Sequence, residues 1–536
     1  MSRHAFLVIV LLVVFFTLSI SSALKESLTF DERPYIDVGI QGLTKTNLSL
    51  EPYNPPFLLM LMTLPHVLQL DKMVLYGPLQ KEWITVRTVN VVLGVFILLA
   101  TYSLARRYIN RNVALLSLLL LAFEPNFLAH SHYITHDVGL ALFFLLSYAA
   151  LLQCIQKPIT LNFVRFGFWS GFALASKVAS IPYLTISAAT LILFFKKGEV
   201  FRFIYKNRSK VFVAFIVSLV TLWGTYFFKP GIVIEKDARP NRISEKILSL
   251  AKQKKIEILK KGIEVLQNQP LPLGGYAALV KNSLLRRKLA EKAFFFGEEY
   301  EIARPYFMPV IVFLKTSLPV FILASISIVE IMKKRKEEFA YFLIPVLAVL
   351  FSASLLRLNP QVRYVLPLFP FLSVLAAYGL YVTWRSKYRM LGALLLIWYV
   401  ARTVSFFPHF IAFANELAGN RNRYYQVFSD SNLDWGQSFP DLKKYVSSIS
   451  PKSVSLSYFG RDDPEIYGLH TNKPLTGNTI EELCDFYQLE GLNDSGLSVK
   501  IISITNWYIC GYYRKPEFSE PNIRAMVGSS FLMFGK

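Results

Sequence analysis

The chain has 536 residues, of which 53% are hydrophobic and 15% aromatic, and its mean hydropathy is +0.40. An ordinary soluble domain of this length is less apolar, so lipid must be the main solvent of the protein. The formal net charge of +22 could suggest a nucleic-acid partner. However, the Lys and Arg residues punctuate apolar segments and no RNA-binding pattern accompanies them, so we expect none.

Apolar segments of roughly 17 to 22 residues recur along the chain, the length that a helix needs to cross the hydrocarbon core. We predict about eleven transmembrane helices. The first, near 5–24, resembles a secretory signal but is long for one, so we interpret it as a retained helix. The others lie near 84–105, 112–130, 137–155, 163–178, 180–195, 211–228, 306–332, 339–356, 364–384 and 390–410.

Basic residues mark alternate connections between these segments, which predicts that those connections are cytoplasmic. They are Arg106–Arg107, Lys196–Lys210, Lys333–Lys336 and Arg385–Arg389. The N-terminus is then cytoplasmic. We predict a transmembrane domain over 1–410, with extracytoplasmic loops at about 25–83 and 229–305, and an extracytoplasmic C-terminal domain over 411–536. The second loop is also basic although we place it outside, which is compatible with the charge rule because long segments translocate largely regardless of charge. Its residues 252–266 predict an amphipathic helix on the membrane surface.

Two adjacent carboxylates, Asp31 and Glu32, follow the first apolar segment by a few residues. Ionisable groups at the membrane interface are candidates for function. The alternative is a helix N-cap, since Pro34 is suited to the first turn of a helix. Both alternatives stay open at this point.

The second outside connection concentrates histidines beside acids, over residues 123–137. His136 and Asp137, with His130 and His132, could ligate zinc or manganese with help from Asp31 or Glu32. Their spacing matches no metal motif, and histidines that only make hydrogen bonds are commoner. A divalent metal is therefore an open alternative.

Cations near segment ends offer binding sites for a phosphate. Lys177 ends the fifth segment and Arg363 opens the tenth, so either could instead extend to the lipid headgroups. Lys315 lies deeper inside its apolar segment, where that alternative is less favourable.

Short polar motifs thus succeed one another along residues 1–410. They are Asp31-Glu32, Tyr53-Asn54-Pro55-Pro56, Glu124-Pro125 to Asp137, Ser176-Lys177, and Arg363-Tyr364 followed by Leu366–Pro370. In this order the chain resembles the polyprenyl-phosphate-sugar-dependent glycosyltransferases of the GT-C superfamily. Within it, the resemblance is to glycosyltransferase family 39, which contains the protein O-mannosyltransferases and the lipid A aminoarabinose transferases. The implied fold is an α-helical polytopic membrane protein with a small α/β C-terminal domain.

The resemblance implies an inverting transfer of a sugar, mannose being one candidate, from a dolichyl or undecaprenyl phosphate to a protein, lipid or glycan acceptor outside the cytoplasm. Asp31 would be the general base and Glu32 would support it. Arg363 and Lys177, with Lys315 third, would bind the leaving phosphate. Asp137 and Tyr364 would contact donor or acceptor, the former through a metal in some relatives. The membrane would be the plasma membrane, or an ER-like one in a eukaryote.

A transporter or lipid-handling protein is the alternative function, because intramembrane ionisable groups suit it too. Against it, we find no obvious repeat of the first half of the sequence in the second. The acids also gather at one face of the membrane instead of the midplane.

The C-terminal part carries the motif Ser429-Asp430-Ser431-Asn432-Leu433-Asp434-Trp435-Gly436-Gln437, to which no chemistry can be assigned from the residue types. It either shapes a substrate site or caps the domain, and the second is favoured. Residues 453–459 and 499–505 predict strands. Cys484 and Cys510 either pair, if the domain is extracytoplasmic, or are two buried thiols.

Overall fold

The computed structural model describes residues 2–70, 81–195, 199–234, 265–286, 293–334, 337–356, 358–473, 475, 479–492 and 497–535. The surface helix predicted at 252–266 falls almost entirely outside the described residues.

The helices of the first three quarters of the chain follow the apolar segments and add helices within the loops. They are α1 (Arg3–Ala23), α2 (Glu32–Thr44), α3 (Phe57–Val67), α4 (Lys81–Tyr108), α5 (Arg111–Ala122), α6 (Pro125–His130), α7 (His136–Gln156), α8 (Thr160–Ser176), α9 (Ser180–Phe195), α10 (Val200–Lys206), α11 (Arg208–Gly224), α12 (Gly274–Arg286), α13 (Phe307–Lys315), α14 (Leu318–Lys334), α15 (Ala340–Ser354), α16 (Phe369–Trp384) and α17 (Arg389–Val404). A 3₁₀ helix, Val362–Leu368, leads into α16, and a hairpin of β1 (Ala293–Phe295) and β2 (Glu298–Tyr300) precedes α13.

Each predicted apolar segment contains a helix, which confirms the polytopic helical fold. Among the described residues, five helices are long and apolar enough to cross a membrane alone, and α13 with α14 would make a sixth. The total of about eleven spans stays a prediction. The most buried of these candidates are α7 and residues 362–384, which therefore form the centre of the bundle. There, Gly379 of α16 lets two helices touch, since a Cβ would lie 1.9 Å from the carbonyl oxygen of Leu323.

The prediction of one continuous span over 306–332 is wrong, because α13 and α14 meet at a bend of 106°. Pro319 has no N–H and excludes a helical hydrogen bond to the carbonyl of Lys315. The Nδ2 of Asn126 donates to that carbonyl instead, at 2.7 Å. Asn415 donates to the carbonyls of Phe313 and Thr316 at 2.6 and 2.9 Å, so side chains stabilise the break.

The segment 112–130 is also interrupted. Helix α5 ends at Ala122, and α6 starts anew at Pro125, where the Glu124 carboxylate caps the backbone N–H of Phe127 at 2.5 Å. Residues 125–137 are buried, so this connection lies within the protein instead of on its surface.

The C-terminal part forms a six-stranded sheet, which confirms the predicted α/β domain. Its elements are α18 (Phe439–Ile449), β3 (Ser453–Ser457), β4 (His470–Thr471), α19 (Ile480–Cys484), β5 (Tyr487–Glu490), β6 (Ser498–Ser503), α20 (Ile504–Ile509), β7 (Ala525–Val527) and β8 (Phe531–Phe534). The strand order is β4-β5-β3-β6-β8-β7, with only β3 and β6 parallel.

Both predicted strands are present, as β3 and β6, and Val454, Leu456 and Tyr458 are buried together as their alternation predicts. Cys484 and Cys510 form a disulfide that joins α19 to the end of α20.

We predict that Cys484→Ser with Cys510→Ser destabilises the C-terminal domain by roughly 2–5 kcal/mol, because the disulfide closes a loop of 26 residues and so restricts the unfolded chain. Thermal unfolding of purified protein in nanodiscs measures the effect, and a reducing agent should reproduce it in the wild type but not in the double variant. Equal unfolding temperatures for all samples would contradict the prediction.

Candidate functional site

Asp31 stands at the N-terminus of α2 and faces the guanidinium of Arg363. Its Oδ2 lies 3.1 Å from Nη1 of Arg363. The Asp31 side chain is 23% exposed and accepts no capping hydrogen bond from the described residues of α2. The carboxylate is therefore available to solvent and to a substrate instead of serving the helix.

A second ion pair joins Asp137, in the first turn of α7, to Lys177, which follows the last residue of α8. The Nζ of Lys177 lies 2.5 Å from Oδ1 of Asp137. Thr135 caps α7, which fixes the position of the first turn and its carboxylate.

The ring of Tyr364 links the two ion pairs. The Nζ of Lys177 lies 4.8 Å and the guanidinium carbon of Arg363 5.5 Å from the ring centroid. The guanidinium also interacts electrostatically with both Asp31 and Asp137. The structure thus gathers five residues predicted from the sequence, although they come from four separate parts of the chain.

Glu32, the neighbour of Asp31, points the other way and is fully buried. The Nε and Nη2 of Arg87 donate to its two carboxylate oxygens at 2.9 and 2.6 Å. The backbone N–H groups of Thr29 and Ile134 donate to the same oxygens. These four hydrogen bonds use the acceptor positions of the Glu32 carboxylate. Asp31 is therefore the member of the pair that faces solvent.

Arg87 of α4 was missed by the sequence reasoning and is itself buried. Its remaining N–H groups donate to the carbonyls of Ala23, Glu26 and Ser27 at 2.8–3.1 Å. All five donors of the guanidinium are then used. Its signal in the sequence was an arginine inside the apolar segment 84–105, where a charge is costly without partners.

Glu26 forms the centre of a second buried network and was also missed. Its Oε2 accepts from Tyr133 at 2.7 Å and lies 2.8 Å from Nε2 of His132. Its Oε1 lies 2.8 Å from Nδ1 of His409, whose Nε2 is 2.6 Å from the Asp441 carboxylate. The network therefore ties the first loop to α18 of the C-terminal domain.

The charges in this network shift the pKa values of Glu26, in the loop after α1, and of His409, beyond the end of α17. Burial alone would raise the pKa of Glu26, but hydrogen bonds to His132 and His409 and their charges lower it to about 2. Burial alone would lower the pKa of His409, but its contacts with Asp441 and Glu26 raise it to about 9. His409 is thus an imidazolium between two carboxylates at neutral pH.

Lys315 lies apart from the Tyr364 group and is fully buried at the end of α13. Its Nζ donates to the carbonyls of Ile411 and Asn432 at 2.6 and 2.7 Å. In this arrangement it holds backbone in place instead of facing a phosphate.

The predicted metal ligands do not form a ready metal site. His136 packs edge-on against Tyr35, with 5.1 Å between the ring centroids, and its Nε2 has no hydrogen-bond partner among the described residues. Asp137 is held by Lys177. Within the described ranges, no group of three or more His, Cys, Asp and Glu side chains is placed to hold a metal ion. Metal dependence stays a prediction.

A cleft of about 560 Å³ opens between the first turns of α2 and the C-terminal domain. Side chains of both charges line it, among them Arg33, Asp37, Arg461 and Asp463. Among these, Arg461 interacts electrostatically with Asp31 and lies over the ring of Phe30, which stacks on Phe459 at 4.5 Å. The cleft therefore suits a polar molecule.

A family model described as dolichyl-phosphate-mannose-protein mannosyltransferase matches residues 79–226. This is well under half of the chain, and it includes Asp137 and Lys177 but neither Asp31 nor Arg363. No curated protein matches by sequence.

Solved structures match over a longer part of the chain. ArnT from Cupriavidus metallidurans, solved bound to undecaprenyl phosphate, aligns with 99% of this chain and 97% of its own, at 12% identity and a TM-score of 0.52. The fold of this chain is therefore similar to that of ArnT. The archaeal oligosaccharyltransferase AglB from Archaeoglobus fulgidus, solved with an inhibitory peptide and a dolichol-phosphate, aligns with 79% of this chain at 14% identity and a TM-score of 0.50. This chain spans only 57% of the length of AglB. The resemblance predicted from the sequence is confirmed.

We predict that Arg87→Met destabilises the protein by about 3–5 kcal/mol, because it leaves the buried carboxylate of Glu32 without its cation. The double variant Arg87→Met with Glu32→Gln should recover part of this loss. Thermal unfolding in nanodiscs measures both. The control is Arg202→Met, which removes an exposed ion pair with Glu199 and should change stability little. Equal destabilisation by Arg87→Met and Arg202→Met would show that the buried pair is dispensable.

We predict a pH-dependent contribution from His409. Its folded pKa of about 9 exceeds the ordinary 6.5, so its stabilisation is complete below pH 6.5 and is lost as the pH rises through 9. The difference in unfolding temperature between wild type and His409→Gln should therefore be largest near pH 6 and shrink toward pH 10. His470→Gln, at an exposed histidine in β4, is the control. A constant difference across this range would contradict the prediction.

Proposed function

We propose that the protein is a membrane glycosyltransferase that moves a sugar from a polyprenyl phosphate to an acceptor on the extracytoplasmic side, with inversion. One observation carries the proposal: two carboxylate–cation pairs, Asp31–Arg363 and Asp137–Lys177, meet around one tyrosine ring. The GT-C fold and the family match over 79–226 support it.

The two cations suit the phosphate of the donor. Arg363 offers a planar fork of N–H groups and Lys177 a compact charge, and together they would stabilise the negative charge that develops on the leaving phosphate. Asp137 would keep Lys177 in place and contact the sugar. The ArnT structure was solved with undecaprenyl phosphate and the AglB structure with dolichol-phosphate, which supports a lipid-linked donor here.

Asp31 would act as the general base. A phosphate bound to Arg363 would take over its N–H groups and release the Asp31 carboxylate toward the acceptor. The acceptor oxygen or nitrogen then bonds to the anomeric carbon while the bond from that carbon to the phosphate oxygen breaks. The acceptor proton passes to Asp31, and polyprenyl phosphate leaves. Such a base contributes typically ~10²- to 10⁴-fold.

The acceptor would enter through the cleft lined by Arg33 and by Arg461, which interacts electrostatically with Asp31. Because side chains of both charges line this cleft, we propose a polar acceptor that presents a hydroxyl or amine on a protein, lipid or glycan. The description of the family model favours mannose as the sugar.

The proposed orientation has the N-terminus cytoplasmic and the C-terminal domain outside, and the pattern of basic connections supports it. The disulfide between Cys484 and Cys510 supports this orientation, since disulfides persist in oxidising compartments. The proposed membrane is the plasma membrane, or an ER-like membrane in a eukaryote.

We predict that Asp31→Asn lowers the rate of sugar transfer by about 10²- to 10⁴-fold and changes the donor KM much less, because the amide cannot accept the proton. A transfer assay in nanodiscs with labelled polyprenyl-phosphate sugars measures both constants. The control is Glu517→Gln, which makes the same chemical change at an exposed ion pair with Lys500.

Unchanged transfer by the Asp31 variant would remove Asp31 as the base. No turnover by the wild type with any polyprenyl-phosphate sugar would instead favour transport or lipid handling.

A further inference from the structure

The C-terminal motif has no role in the mechanism above, yet it packs directly against the site. We call residues 430–437 the DWGQ segment, after its last four residues. This segment contacts the 3₁₀ helix that carries Arg363 and the backbone just before Asp31. Its contacts with Arg363 form two separate paths.

The first path runs through the side chain of Gln361. The Nε of Arg363 donates to Oε1 of Gln361 at 2.6 Å, and Nε2 of Gln361 donates to Oδ2 of Asp430 at 2.5 Å. The Asp430 carboxylate therefore sets the direction of the Gln361 amide, which in turn orients the guanidinium.

The second path is the ring of Trp435. The guanidinium carbon of Arg363 lies 4.3 Å from the centroid of this buried indole, in cation–π contact. With Nε on Gln361 and one face on the indole, the fork has little freedom to rotate. Its Nη1 is thereby directed at Asp31.

Trp435 also holds the other side of the site. Its carbonyl accepts from the backbone N–H of Phe30 at 2.8 Å, one residue before Asp31. Two residues further on, Gln437 accepts from the N–H of Ser27 through its backbone carbonyl at 3.0 Å. One short segment therefore contacts both the proposed phosphate ligand and the backbone beside the proposed base.

The residue types of the DWGQ segment suit this task. The Asn432 side chain accepts from the N–H of Val362 at 3.0 Å and donates to the carbonyl of Pro360 at 2.7 Å, which fixes the start of the 3₁₀ helix. Gly436 has φ +92°, and a Cβ there would lie 2.6 Å from the carbonyl oxygen of Phe459, so a side chain would displace the turn.

We propose that Asp430 and Trp435 are positioning residues that hold Arg363 in the orientation in which it binds the phosphate of a polyprenyl phosphate. This inference rests on the proposed function, because it assigns Arg363 to that phosphate. Neither residue touches the substrate in this assignment, and both act through the guanidinium.

The test measures the Kd of undecaprenyl phosphate, and of dolichyl phosphate, for the full chain in nanodiscs. Asp430→Asn and Trp435→Leu should each weaken binding roughly 3- to 30-fold, because each loosens the guanidinium. Trp435→Phe keeps an aromatic face and should recover part of the affinity. In an Arg363→Ala background, Asp430→Asn and Trp435→Leu should change the Kd less than about twofold, because the residue they act through is gone.

Thermal unfolding distinguishes a positioning role from loss of the fold. Only variants that unfold within a few degrees of the wild type enter the comparison of Kd values. A variant that does not is replaced by Gln361→Met, which cuts the first path without a substitution in the C-terminal domain. Equal Kd losses in the wild-type and Arg363→Ala backgrounds, or no loss in either, would overturn the inference alone. Absence of polyprenyl-phosphate binding by the wild type would overturn both it and the proposed function.

Discussion

The ion pair between Glu32 and Arg87 is the interaction on which the arrangement of the site depends. Arg87 carries its charge inside an apolar helix, where an uncompensated ion is very costly. It is satisfied only when the chain after α1 folds over α4, because its partners are the Glu32 carboxylate and three carbonyls between Ala23 and Ser27. That closure also sets the place of Asp31, one residue before Glu32.

Two adjacent carboxylates thereby receive different environments. Glu32 is fully buried and accepts four hydrogen bonds, whereas Asp31 is 23% exposed and pairs with Arg363. A carboxylate whose acceptor positions are all filled stabilises the fold, whereas a partly exposed one is accessible to a molecule from solvent. The same division separates Lys315, which is buried against carbonyls, from Lys177, which meets Asp137 at the site.

The C-terminal domain takes part in the site instead of merely lying above it. Its α18 reaches the first loop through Asp441, His409 and Glu26, and its DWGQ segment contacts both Arg363 and the backbone beside Asp31. A side chain that such contacts already hold in place loses less conformational entropy when a substrate binds than one carried by a mobile loop.

The sequence by itself determined the helical membrane architecture and the C-terminal strands. It also singled out four ionisable residues that the structure brings together: Asp31, Asp137, Lys177 and Arg363. These could be predicted because apolar length and the cost of charge near lipid are local properties. Only the tertiary structure decided which ions pair, that Lys315 and Glu32 are buried, and that the helix after residue 306 breaks. Each of these outcomes depends on partners that are far apart in the chain, such as Asn415 at the break or Glu26 beside His409. A local pattern shows that a charge needs a partner, but only the folded chain shows which partner it finds.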